Sequence, residues 1–139
     1  GNFFASCKVG MKVAIDRKYT DVSGGELPFD PEISIGAGPR IVKDGKVYGG
    51  YSTYREEGFA DSVTAGSAVR VCVGIRDSGD LVIAEAYASM PKLAEIMVAM
   101  GCQDAVNFDG GGSVNLYVDG YWLYGPQSRL LNNMLVFTR

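Results

Sequence analysis

The stretch best equipped for chemistry is "VNFDGGGSVNLYVDG", residues 106–120, in which three glycines lie between Asp109 and Ser113. Consecutive glycines adopt backbone angles closed to other residues and leave amide groups uncovered. Such amides can form a nest that binds an anion. A carboxylate beside a nest would repel a stored phosphate, but it suits a substrate with both an anion and a carbon that becomes cationic. A flexible turn explains a glycine run about as well.

A second candidate group is the guanidinium of Arg70, in "AVRVCVGI" at residues 68–75. Strand alternation predicts that the apolar residues from Val69 to Ile75 face the core and that Arg70 lies on the opposite face. A planar guanidinium there would suit bidentate phosphate oxygens, with a solvated edge charge as the alternative. Arg129 and Arg40 are weaker candidates for the same task.

Around the glycines, alternation predicts that Val106 and Phe108 face the core while the residues between and after them face away. If residues 105–109 pair with residues 114–118, four polar side chains converge around the bare backbone. They are Asn107, Asp109, Ser113 and Asn115.

The chain contains no histidine, which excludes a Ser-His-Asp triad, a Cys-His pair and a histidine zinc site. Proton transfer would have to use carboxylates, Tyr, Lys or Cys.

The glycine run is not a Walker loop, because no lysine follows it, and the strand-like sequence after it argues against a dinucleotide fingerprint. "NFDGGG" is similar to part of a calcium loop, but Ala105 stands at an acidic position and the final glutamate is missing. The sequence therefore predicts neither a metal nor a cofactor.

A length of 139 residues, with 47% hydrophobic and 21% charged residues, is typical of one soluble globular domain. The net charge is -3 and the 13 basic residues form no dense cluster, which argues against nucleic acid as a partner. No apolar run reaches membrane-spanning length. Gly1 leads directly into Asn-Phe-Phe, so no signal peptide is predicted.

The three cysteines are interpreted as buried small hydrophobes, with one disulfide and one free thiol as the alternative. They are Cys7, Cys72 and Cys102.

The elements that must position these residues are short strands punctuated by glycine turns, one helix and one irregular segment. The helix is predicted over about residues 90–100, with Ser89 as its N-cap and Gly101 as its stop. Residues 49–67 lack a clear period, and we interpret them as a lid over a site, with a plain surface loop as the alternative. The fold class is α+β, a mixed, mostly antiparallel sheet with one main helix packed on it. The predicted strands lie near 11–15, 33–36, 40–43, 46–48, 69–76, 80–86, 105–109, 114–118, 121–124 and 133–138.

Several of these motifs together resemble the phosphodiester glycosidase family. The match is most specific in "LAEIMVAMGCQDAVNFDGGGSVNLYVDG", and it extends through "IGAGPRIVKDGKV", "AVRVCVGI", "GNFF" and "RLLNNMLVF" to nearly the whole chain. Residues 1–139 are identified as one domain of this family that lacks the family's N-terminal portion. Ala68 and Val69 stand where members commonly have His-Pro, and "AEAYASM" replaces an Asp-Gly-Arg segment, so the second acidic group has no counterpart here.

The resemblance implies hydrolysis of a sugar-1-phosphodiester, with release of a sugar and a phosphomonoester. It implies catalytic roles for Asp109 and Arg70, and no cofactor. It also implies an extracytoplasmic or cell-surface location, a cell-envelope glycan or sugar phosphate as partner, and a second chain or cleaved segment that completes the domain. The alternatives are a non-catalytic module that binds a glycan or sugar phosphate, and a metal-dependent phosphodiesterase. The implied substrate-binding residues are Asn2, Asn107, Gly110, Gly111, Gly112, Ser113 and Arg129.

Overall fold

The computed structural model describes residues 2–21, 23–31 and 34–126, with side chains from Phe4 onward. The predicted closing strand at 133–138 lies outside the described residues. The chain divides into two units, Gly1–Ile35 and Gly36–Arg139.

The first unit holds one short helix, α1 (Asn2–Ser6), and an isolated bridge between Thr20 and Glu26. The turn inside this bridge is organised by Asp21, whose Oδ1 accepts hydrogen bonds from the hydroxyl of Ser23 and from the backbone N–H groups of Ser23 and Gly25. These bonds hold the pKa of Asp21 below its ordinary value. The strand predicted at 11–15 is wrong, because these residues adopt no regular structure and Ile15 is exposed.

The second unit is built on a five-stranded sheet with the order β2-β1-β5-β3-β4, in which every neighbouring pair is antiparallel. A separate two-stranded hairpin, β6–β7, follows it. The strands are β1 (Arg40–Lys43), β2 (Lys46–Val47), β3 (Ala68–Arg76), β4 (Leu81–Ala88), β5 (Cys102–Gly110), β6 (Leu116–Val118) and β7 (Tyr121–Tyr124). The helices are α2 (Tyr51–Glu56), α3 (Asp61–Thr64) and α4 (Met90–Ala99), with a 3-10 turn at Gly111–Ser113.

Helix α4 is the main helix and packs across one face of the five-stranded sheet, against β1, β2, β4 and β5. Pro91 stands in its first turn, where a missing N–H breaks no helical hydrogen bond. Its buried face carries Met90, Leu93, Ala94 and Met97, which are fully shielded from solvent. The predicted α+β class and the predicted main helix are therefore confirmed.

The predicted assignment of sheet faces is wrong. The face of β3 under α4 carries Arg70, Cys72 and Gly74, all buried, whereas the alternate valines are half-buried and Ile75 is 44% exposed. At position 74 the reason is steric: a Cβ at Gly74 would lie 2.8 Å from both Cys102 Sγ and Met97 Cε, so no larger side chain fits beneath the helix there. In the same way Asn107 is buried on β5, while Val106 and Phe108 are only half-buried.

The structure corrects further predictions about strand pairing and about local structure. Residues 114–118 do not pair with β5, because β6 pairs with β7 through the tight turn at Asp119–Gly120. Positive φ angles at both turn residues match the twist of a two-residue hairpin. The irregular segment contains α2 and α3, and residues 34–36 form no strand. Among the described residues no helix is long and apolar enough to cross a membrane.

Candidate functional site

Arg70 lies at the centre of the candidate site and is only 4% exposed. Its guanidinium donates three hydrogen bonds to backbone carbonyls: Nε to Ala88 (3.1 Å), Nη1 to Val63 (3.0 Å) and Nη2 to Gly66 (3.4 Å). Within the described part of the chain, no carboxylate lies within ion-pairing distance of this cation. Since a guanidinium has five N–H donors, these bonds leave two unused. The arrangement is a buried positive charge without a negative partner, which is costly unless something else supplies that charge.

Tyr51, the first residue of α2, is the aromatic residue whose phenol interacts electrostatically with this arginine. Burial lowers the pKa of the Arg70 guanidinium, and the phenol of Tyr51 acts in the opposite direction. The ring of Tyr51 packs edge-on against the buried ring of Tyr54, with centroids 6.2 Å apart. Sequence analysis missed Tyr51, because it lies in a segment without periodicity. The only available signal was an aromatic residue directly after two glycines.

Gly110 lies directly opposite Arg70 in the β3–β5 pairing. The next pair is Cys72 with Asn107. Between these two pairs β3 advances by two residues and β5 by three, so β5 contains a β-bulge with one extra residue. Bulges of this kind re-aim side chains and recur beside active sites. A Cβ at position 110 would lie 2.8 Å from the carbonyl oxygen of Val69, so only glycine fits.

Asp109 is exposed and is carried by this bulge, so it does not share the buried face of Asn107 as alternation predicted. Its Oδ1 accepts the N–H of Gly110 at 2.8 Å. The amide of Gly110 is therefore occupied, which corrects the expectation of three bare amides. Gly111 and Gly112 begin the 3-10 turn, where N–H groups have no acceptor within the helix.

Asn107 is 3% exposed and is tied to the segment before β1. Its Nδ2 donates to the carbonyl of Gly38 at 3.1 Å, and its backbone exchanges hydrogen bonds with Gly38 and Pro39. Its Oδ1 is buried without a hydrogen-bond partner among the described residues. Asn107 therefore fixes the approach of β1 to β5 with its amide nitrogen and leaves an acceptor unused.

The segment predicted as a lid packs on the sheet through the buried residues Tyr54 and Thr64. The carbonyls of Val63 and Gly66, at its C-terminal end, are the ones that hold Arg70. An exposed ion pair of 2.6 Å between Arg55 and Asp61 links α2 to α3. Whether the segment opens over a ligand stays a prediction, but its contact with Arg70 places it at the site.

The other predicted residues fall in different places. Ser113 ends the 3-10 turn and is half-buried. Asn2 belongs to α1 in the first unit, and Arg129 lies outside the described residues. No group of three His, Cys, Asp or Glu side chains is close enough to hold a metal in the described ranges. The structure thus places Gly110 opposite Arg70 and Asp109 next to Gly110, with the Arg70 side chain buried and the Asp109 side chain exposed.

Comparison with known proteins gives one family match. The profile of the phosphodiester glycosidase family matches residues 10–138. None of the curated proteins compared matches the chain significantly.

Among the solved structures that are similar to the chain, two give the following matches. One is a hypothetical protein from Synechocystis, 27% identical with a TM-score of 0.56, which aligns with 64% of this chain and 17% of its own. The other is the zebrafish N-acetylglucosamine-1-phosphodiester alpha-N-acetylglucosaminidase catalytic domain, auto-inhibited by its pro-peptide, which is 17% identical with a TM-score of 0.52. It aligns with 82% of this chain and 39% of its own, and at this identity it supports the fold alone. The chain therefore spans well under half the length of either structure.

Proposed function

The chain belongs to the phosphodiester glycosidase family, and from that premise we propose that it hydrolyses a sugar-1-phosphodiester at the bond between the sugar carbon and the phosphate oxygen. The products are a free sugar and a phosphomonoester. The observation that carries the proposal is the buried, carboxylate-free guanidinium of Arg70 opposite Gly110.

Arg70 fits the role of phosphate ligand because its charge is uncompensated where it lies. A phosphodiester supplies the single negative charge that the described residues do not. Planar guanidinium N–H groups match phosphate oxygens, and two of them remain after the three carbonyls are satisfied. The neighbouring amides of Gly111 and Gly112 add uncharged donors.

Asp109 fits the role of the group that acts on the sugar. Paired residues across an antiparallel ladder are about 5 Å apart at Cα, and Asp109 directly precedes the residue opposite Arg70. The backbone of Asp109 therefore lies near that of Arg70, and the proposal requires the exposed carboxylate to reach the sugar carbon from this position. The hydrogen bond from Gly110 N–H orients the carboxylate.

This division of labour matches the chemistry of the bond. The leaving phosphomonoester is already a weak base, so its departure needs little protonation. The reaction therefore does not require a histidine as general acid, and the chain contains none. The harder demand is stabilisation of a cation-like sugar ring beside a departing anion. Asp109 stabilises the ring or activates water, and Arg70 with the glycine amides receives the anion.

A binding module is the second candidate, favoured by one observation. The three carbonyl bonds give Arg70 a structural role that would keep it in place without catalysis. Such a module would hold the sugar phosphate and release no product.

The test is a screen of sugar-1-phosphodiesters in water enriched with heavy oxygen, with and without a chelator. A phosphomonoester released without label supports the proposal, since water then attacked the sugar carbon; label in the sugar alone does not decide, because the anomeric oxygen of a free sugar exchanges with water. Label in the phosphate, with loss of activity in chelator, would favour metal-assisted attack at phosphorus and overturn it. Saturable binding with no release by any substrate would favour the binding module.

A further inference from the structure

The β6–β7 hairpin exposes aromatic side chains immediately after the glycine turn. Tyr117 and Trp122 form a cross-strand pair and are 57% and 49% exposed. Their rings meet edge to face, with centroids 5.0 Å apart and planes at 65°. Neither ring belongs to the core cluster formed by the described residues. Two large rings held together and left in solvent form a surface that fits a ligand with an apolar face.

We propose that the Tyr117–Trp122 pair is a carbohydrate-binding surface, which holds a sugar ring of a glycan other than the one at the scissile bond. The inference goes beyond the proposed hydrolysis and does not require it.

The chemistry of the pair points to a saccharide. One face of a pyranose is a row of C–H groups, which packs on an aromatic ring, while its hydroxyls lie at the edge. Tyr and Trp combine an apolar ring with an O–H or N–H at the rim, so they meet both parts of such a ligand. Residues 116–124 contain one charged side chain, that of Asp119, and neither Lys nor Arg. An anionic membrane surface or a nucleic acid would require basic groups here.

The position of the pair also fits. Tyr117 follows Ser113 by four positions, so their Cα atoms lie at most about 14 Å apart. A glycan bound at the glycine turn could therefore extend onto the hairpin within two or three sugar units. The two-residue turn at Asp119–Gly120 fixes the register of the hairpin, so the rings are held in place before a ligand arrives.

The chain offers a direct reporter, because Trp122 is its only tryptophan. We would titrate the full chain with chitotetraose, maltotetraose and cellotetraose up to about 10 mM, which covers millimolar affinities, and follow tryptophan emission. None of these probes carries a phosphate, so binding does not involve Arg70. We expect a saturable change with at least one of them, matched by heat in calorimetry.

Matched variants separate the pair from the rest of the hairpin. Tyr117→Ala should weaken binding roughly tenfold, as loss of one stacking ring does in other complexes, and Trp122→Phe, followed by calorimetry, should retain it. Tyr121 is the control: it is adjacent to Trp122 and 73% exposed, but strand alternation places it on the opposite face. Tyr121→Ala should bind like the unaltered chain.

Three results would overturn the inference. They are no response to any of the three probes, equal weakening by Tyr117→Ala and Tyr121→Ala, and an emission shift produced by phosphatidylcholine vesicles but not by glycans. Failure of the hydrolysis proposal looks different: no phosphodiester is cleaved, while the tryptophan response to neutral glycans persists.

Discussion

Arg70 on β3 lies directly opposite Gly110 on β5, at the last pairing of the two strands before the glycine turn. The guanidinium is buried, and the glycine has no side chain that would collide with the carbonyl of Val69. The proximity of a cation to the turn therefore depends on both residues. The first three predictions below test the separate contributions of Asp109, Arg70 and Gly110.

Asp109→Asn should reduce the rate of sugar release by at least about 100-fold, because it removes the charge that would act on the sugar ring. The side chain is exposed, and asparagine retains an oxygen to accept the Gly110 N–H. The free energy of unfolding should therefore change by less than about 0.5 kcal/mol. Turnover and urea denaturation measure the two effects. Asp104→Asn, the same charge change at the other end of β5, is the control, and near-normal turnover by Asp109→Asn would remove it from the mechanism.

Arg70→Lys should lower the free energy of unfolding by at least about 2 kcal/mol, because one ammonium cannot reach three carbonyls and leaves buried acceptors unpaired. Arg76→Lys is the matched control on the same strand, since Arg76 is exposed and its Nε bonds one carbonyl, that of Met100. Inorganic phosphate should raise the melting temperature of the unaltered chain and not that of Arg70→Lys. Equal stability of the two variants would show that the three carbonyl bonds contribute little.

Gly110→Ala should destabilise the fold by about 1–3 kcal/mol, as overpacking against backbone does. Its Cβ would lie 2.8 Å from the carbonyl oxygen of Val69. Gly36→Ala is the control, since a Cβ there meets nothing within 4 Å. Urea denaturation compares the two variants, and a Gly110→Ala chain as stable as Gly36→Ala would mean that the strands move apart at no cost.

Stability should fall as the pH rises above about 9, because the thiol of Cys72 is buried. Desolvation, with the neighbouring Cys102 as a smaller cause, raises the pKa of Cys72 from 9.0 to about 12. The unfolded chain therefore loses this proton first, so the stabilisation is complete below pH 9 and is lost as the pH rises towards 12. Denaturation midpoints between pH 8 and 11 of the unaltered chain and of Cys72→Ala measure the effect. Parallel pH profiles for the two proteins would contradict it.

Tyr54→Phe should leave the fold equally stable or slightly more stable, by up to about 1 kcal/mol. The hydroxyl of Tyr54 is buried without a hydrogen-bond partner among the described residues, and burial raises the pKa of this phenol. Tyr54→Ala should cost about 3–5 kcal/mol, since the ring itself is fully buried. A clear loss of stability in Tyr54→Phe, measured by urea denaturation, would reveal a partner for the hydroxyl in solution.

The sequence predicted the elements better than their faces. Strands β1 and β7 and helix α4 follow from turn pairs, alternation and helical spacing, all of which are local. The face of β3 that helix α4 covers does not follow from local sequence. Both faces of the strand contain enough apolar residues to be buried, and which one is buried depends on the space that Gly74 leaves for Met97. Helices α2 and α3 are too short to show a period.

The sequence named the residues of the candidate site better than it predicted their orientation and burial. The motif singled out Arg70, Asp109 and the glycines as candidates, but one extra residue in β5 separates Asp109, which is exposed, from Asn107, which is buried, although alternation predicted one face for both. A bulge leaves no trace in an alternating pattern. The burial of Arg70 was also missed, since a charged residue in a strand is ordinarily assigned to solvent.

The guanidinium of Arg70 joins the end of β4, through Ala88, to the segment that contains Val63 and Gly66. A homologue without the proposed hydrolysis would thus still need arginine at this position to keep its shape. Selection for architecture and selection for the proposed activity would fall on the same side chain. A surviving arginine in a distant homologue would therefore be poor grounds for inferring an enzyme, whereas a surviving aspartate at position 109, which the fold does not need, would be good grounds.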